Sequence, residues 1–380
     1  MNSESSLPTG SPSPSPRDLA LDGVRTVAIL LMVACHCARL ILREHRPDFF
    51  AHAMLIEPFC QALFMAMVGF GMVYSFHRFS RKQTSEAGQA DIAGGFSLRP
   101  WLGGQLKRAV LIYLIGGLIF CFELGWQFPW IFTNQGILGC IFYAILFFLP
   151  LFVLVARRPG LSTCVAAGLT LALALAYTWL VSAELAIFPL NAGKGAVMPN
   201  IILTGFGIFA GLVIVYQPPK AAWALLAFCG LLVIASLMIT PFETLFSRPA
   251  GRISHTTTYQ LAGSGPEQIY RVITGGKLHE AVHSHYRWRP ILVPMLIGMT
   301  GLLYGCFRLL GPILNRASGL LIIGRHSLGV YIFHLVLLAI PVVIAGKQRV
   351  FTQGFGVFIT FGLIVLACYG FAFFREKPSA

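Results

Sequence analysis

The chain is a succession of long apolar runs with its charges pushed to their edges. Read between charged residues and Gly/Pro clusters, its 380 residues hold ten such runs. They lie near 24–43, 52–76, 106–122, 134–155, 161–182, 197–216, 221–240, 289–310, 319–342 and 350–374. About twenty apolar residues in helical form cross the hydrocarbon core of a bilayer. A water-soluble fold would have to hide all ten runs behind polar surface, and this chain has little. Only 11% of its residues are charged and 56% are hydrophobic, against about 25% charged in a soluble domain. Mean hydropathy is +0.75. These figures exclude disorder, collagen and disulfide scaffolds, and predict an all-α integral membrane protein of about ten transmembrane helices. No internal repeat of the inverted-transporter kind is visible.

A net charge of +14 would point to nucleic acid in a soluble protein. Here topology explains it without nucleic acid, because cytoplasmic loops collect Lys and Arg. With the N-terminus inside, sixteen of the 28 Lys and Arg fall at inner boundaries and twelve outside; six of those twelve sit in the loop 241–288 and its flank. Long loops are left out of that count, so both termini are predicted to be cytoplasmic and the loop extracytoplasmic. It gathers His255, Tyr259, Tyr270, His279, His283 and His285, side chains that stack on sugar rings and hydrogen-bond hydroxyls. Residues 1–16 read as a disordered Ser/Pro tail and not as a signal peptide. Residues 17–377 then form a single transmembrane domain carrying 241–288 as an insertion. The nine cysteines keep no metal-ligand or disulfide spacing and read as packing residues.

Ionisable groups inside a span are expensive and mark function by default. In the first span Arg25 and His36 are eleven residues apart, three helical turns, and so share one face about 16 Å apart in depth. Read blandly, Arg25 is a topology anchor and His36 an interhelical contact. Glu57 enters the second span at about the depth of His36, where a carboxylate would set the charge and tautomer of an imidazole or simply snorkel to the interface. Behind this span comes the densest basic cluster, Arg78 in HRFSRKQ and then Lys107-Arg108 at the predicted opening of the third span. Such a cluster is ordinary inner-surface chemistry, and is also what the phosphates of a cytoplasmic cofactor require. In the ninth span Ser327, Tyr331 and His334 follow at four- and three-residue steps, on one face. His334 matches His36 in depth, which also raises a bis-His haem. Cys35-His36-Cys37 is no zinc site, because adjacent helical residues diverge.

The segment LDGVRTVAILLMVACH resembles the opening of the membrane acyltransferases of family 3, whose signature is Arg, ten residues, then His. EPFCQALFMAMVGFGMVYSFHRF is similar to that family's second span, with VGF where SGF is usual. LKRAVLIYL resembles its basic third-span opening, and SLGVYIFH its late Ser, Tyr, His segment. LLMVACH and FMAMVGF are equally similar to the related heparan-glucosaminide N-acetyltransferase family. The likeness covers about 17–115 and 319–342. It implies transfer of an acyl, most simply acetyl, group from cytoplasmic acyl-CoA to a hydroxyl or amine of a carbohydrate or other envelope acceptor. His36 would be the general base, Glu57 would stand at its depth, and Arg25 would anchor the cofactor or stabilise developing charge. Lys107, Arg108 and Arg78 would hold the cofactor, Ser327, Tyr331 and His334 are further candidates, and no metal is needed. The alternative is a transporter or flippase with His36 and Glu57 as a proton relay.

Overall fold

A computed structural model of the chain describes residues 18–38, 47–87, 97–124, 130–133, 135–182, 190, 197–239, 290–316, 318–344 and 354–376. The expected tail 1–16 and the loop 241–288 lie outside these residues. All regular structure among them is helical. In chain order the helices are α1 (Leu19–Ala38), α2 (Pro47–Ala87), α3 (Arg99–Leu124), α4 (Trp130–Thr133), α5 (Ile137–Phe148), α6 (Leu151–Arg157) and α7 (Pro159–Ser182). Then follow α8 (Val197–Tyr216), α9 (Pro219–Ile239), α10 (Leu292–Leu309), α11 (Gly311–Arg316), α12 (Ile322–Arg325), α13 (Ser327–Ile344) and α14 (Gly354–Glu376), with a 3₁₀ turn at Ser318–Leu321.

Among the described residues eight helices are long and apolar enough to cross a membrane, or up to ten if each of two bent pairs is one span. All ten predicted runs have their helix. The fourth and ninth are broken: α5 and α6 meet at 46°, and Ser318–Arg325 meets α13 at 76°. Pro150 stands at the first break, where it lacks the N–H that would continue the ladder. The third span differs at its start. It begins at Arg99, so Lys107-Arg108 lies about two turns inside it and does not open it.

Local chemistry sets the helix ends. The Asp18 carboxylate accepts from the backbone N–H of Ala20 (2.9 Å) and Leu21 (3.3 Å), capping α1 at the orphaned first turn. Pro47, Pro159 and Pro219 open α2, α7 and α9, at the one helical position where a missing N–H costs nothing. The 41 residues of α2 span about 60 Å, twice a hydrocarbon core.

Packing decides which helices are inner. α8 is buried along nearly its whole length, against α2, α7 and α5. Its crossing with α2 is tight: a Cβ on Gly207 would overlap the carbonyl of Ala66, and one on Gly69 the carbonyl of Thr204. Small residues let backbones approach, and in lipid such contact replaces the hydrophobic drive. α1 is likewise enclosed, touching α2, α10, α12, α13 and α14. By contrast α7, α9 and α14 expose large apolar side chains such as Leu171, Leu231 and Leu366, as lipid-facing helices do.

Candidate functional site

Enclosure of α1 by its neighbours is what allows it to hold polar groups inside the bundle. At its first turns Asp22 is 1% exposed, with Arg25 at 3.6 Å and Arg325 of α12 at 3.8 Å from its carboxylate oxygens. Arg325 also pairs with Glu376 at the end of α14. It donates to the carbonyl of Ser318 at 3.2 Å as well. The close approach that makes this possible is at Gly324, where a Cβ would overlap the Asp22 carbonyl. There Thr26 Oγ1 donates to that carbonyl (2.8 Å) and accepts the Gly324 N–H (3.1 Å). Arg25 lies over Gly71 of α2, whose missing side chain leaves room for the guanidinium.

Three turns along α1 the His36 and His334 rings stack, with centroids 5.2 Å apart and planes at 17°. His36 Nδ1 stands 2.9 Å from His334 Nε2, and His334 Nδ1 stands 3.3 Å from the carbonyl of Val330. These partners set the tautomers. A carbonyl only accepts, so His334 carries its proton on Nδ1 and offers the Nε2 lone pair. His36 must then donate from Nδ1, which leaves the His36 lone pair on Nε2. Two nitrogens on opposite sides of one metal, each about 2 Å from it, would stand about 4 Å apart; His36 Nδ1 and His334 Nε2 at 2.9 Å are at hydrogen-bond distance, so they are not spaced as a pair of axial haem ligands. His334 is fully buried and Tyr331 nearly so. Tyr331 packs edge-on to His334 (5.4 Å) and against Phe64 of α2 (5.6 Å), closing that side of the pair with apolar rings. Among the described residues no three His, Cys, Asp or Glu side chains gather to hold a metal.

The remaining candidates are placed only in part. Ser327 heads α13 at the bend, two turns before His334. Arg78, Lys107 and Arg108 are exposed. Lys107 shares its helix face with the exposed Leu111, Leu114 and Leu118, and so looks outward from the bundle. Glu57 lies on α2 with its side chain outside the described residues. The six His and Tyr of 241–288 are outside them too.

Comparison with family profiles matches residues 18–374 to the acyltransferase domain of family 3. The chain belongs to the acyltransferase 3 family. Membership implies a transferase that uses an acyl donor, and the helices make this acyltransferase a multi-pass integral membrane protein. A search of curated proteins finds no match. The family match runs from the start of α1 into α14 and so covers the middle of the chain, which resemblance alone leaves unmatched. Sequence reasoning missed Asp18, Asp22 and Arg325 of this acyltransferase because each reads as a boundary charge. One signal was present: Asp22 stands three residues before Arg25, on the same helix face.

Proposed function

We propose that the protein transfers an acyl group, in the simplest case acetyl, from cytoplasmic acyl-CoA to a hydroxyl or amine of a carbohydrate or other envelope acceptor. Both termini are placed in the cytoplasm, and the loop 241–288 outside, on the acceptor's side. The reading is carried by the His36–His334 pair, a relay ending in a basic Nε2 three turns from a guanidinium. In this scheme His36 Nε2 takes the proton of the acceptor hydroxyl as the oxygen attacks the thioester carbon. The charge left on His36 is shared through Nδ1–H with His334, and the departing CoA sulfur receives the proton. Arg25, paired with Asp22 and lying over Gly71 of α2, meets the donor's phosphates, three turns from the reacting carbonyl. Arg78 and Glu57 are assigned to the donor and to His36 on sequence position. For Lys107 the outward placement favours lipid headgroups over the donor, and Arg108 is assigned to the donor on sequence position.

The test is release of free CoA from acetyl-CoA by the purified protein with an acceptor present. Wild type should release CoA, and His36→Ala should reduce turnover by about 10²–10⁴-fold, the usual worth of a general base, with folding unchanged. A carrier with a proton relay would release none, and near-normal turnover in His36→Ala would remove His36 from the chemistry.

A further inference from the structure

Away from the histidines, α2, α8, α9 and α10 enclose a cavity of about 310 Å³. Its walls are almost wholly carbon: Phe70, Phe206, Leu226 and Gly305 among them. Its mouth is lateral, since the lining residues Trp223 and Leu309 are 59% and 62% exposed on the outer face of the bundle. Polar atoms gather at one end only. There Arg308 is exposed and donates to Tyr304 Oη at 3.4 Å. Tyr304 donates in turn to Asp18 Oδ2 at 3.0 Å, and Tyr74 Oη donates to the same oxygen at 2.7 Å. The guanidinium is thus tethered from inside and open outside. An apolar cleft that ends in a tethered cation and opens toward lipid complements an amphiphile with an anionic head. The cavity is also not the place of acyl transfer. Phe70 precedes Gly71, which packs on Arg25, and Arg25 lies eleven residues, about 16 Å, from His36.

We infer that this cavity binds a membrane phospholipid, with one acyl chain between α8, α9 and α10 and its anionic headgroup on Arg308. The volume is at the small end of ligand pockets, enough for part of one chain and too little for a nucleotide. The site is independent of the acyl-transfer reading and would stand if that reading fell.

The full-length protein, purified in mild detergent and stripped of lipid, is titrated with phosphatidylglycerol or with phosphatidylcholine of the same chains, and bound lipid is read by native mass spectrometry. Wild type should retain one lipid and prefer phosphatidylglycerol. Ala222→Phe, which fills the cavity from a partly exposed position, should lower retention of both lipids at least five-fold. Arg308→Gln should retain the chain but lose about five-fold in preference for the anionic head, the worth of one cation beside anionic headgroups. Equal retention by wild type and a folded Ala222→Phe would overturn the proposal. So would an unchanged anionic preference in Arg308→Gln, which decides alone should Ala222→Phe fail to fold. Binding of glycerol phosphate as tight as that of lipid would mean a free-phosphate site and no lipid site. A shift in acyl-donor chain-length preference in Ala222→Phe would give the cavity to the donor, and would equally overturn it.

Discussion

Replacing His334 by alanine removes the partner of His36 while leaving the proposed base in place. In the wild type His36 Nδ1 is 2.9 Å from His334 Nε2, so the hydrogen bond becomes charge-assisted when His36 takes a proton. Such bonds contribute about 1.5–3 kcal/mol, and each 1.36 kcal/mol is tenfold in rate. Their loss predicts a fall in kcat of about 10- to 150-fold, smaller than that of His36→Ala. His334→Gln keeps an acceptor for Nδ1–H and should lose less. The assay is steady-state release of CoA at saturating donor and acceptor, with folding checked by size exclusion and thermal melting. Residues that act as one unit are non-additive, so the double variant His36→Ala/His334→Ala should be no slower than His36→Ala. A His334→Ala variant within twofold of wild type, or a double variant slowed by the product of the two single effects, would refute the relay.

The α2–α8 crossing supplies a stability test. Gly207→Ala should destabilise by about 1–3 kcal/mol, the usual cost of overpacking, because its Cβ would meet the Ala66 carbonyl. Gly168→Ala on α7, where a Cβ meets nothing within 4 Å, should be neutral or stabilising; thermal melts in detergent separate the two. For the donor, Arg25→Gln should raise the KM for acyl-CoA about tenfold or more, as loss of a charge-assisted contact does. Lys107→Gln should change that KM less than twofold, and equal effects would return Lys107 to the donor site. For the acceptor, exchanging 241–288 with the corresponding loop of a relative that uses another acceptor should move substrate preference; unchanged choice after a clean exchange would place specificity within the spans.

Hydrophobicity is a local property, and so the sites of all ten spans were legible before any contact was known. The breaks were not, although Pro150 and the polar step Gly324-Arg325-His326-Ser327 mark them in the sequence. A polar step bends a helix when neighbours hold it in place, here Asp22 and Glu376 on Arg325. The early start of α3 was illegible for the same kind of reason. Residues 99–105 hold only Trp101 and Leu102 as large apolar side chains, too few to extend the apolar run, and are tied down by Trp101 and Gln105, each donating to Ser75 Oγ at 3.1 Å. Periodicity gave the matching depth of His36 and His334, but touching rings require that α1 and α13 be neighbours. Adjacency is a tertiary fact. Lys107 shows the converse: its charge was visible, and the direction of its helix face was not.

The paired histidines are separated by 298 residues of chain. At about 5–20 residues per second of synthesis, α1 waits on the order of 15–60 s in the bilayer before α13 exists. During that interval its ionisable groups have only what has already been made. Asp22 and Arg25 are i,i+3 partners, so they offset each other from the moment α1 forms. Asp18 gains Tyr74 as soon as α2 inserts. His36 can meet His334 only once α13 has been made. The first helix thus carries a neutralised charge pair into lipid from the start, and completes its histidine pair only when nearly the last helix arrives.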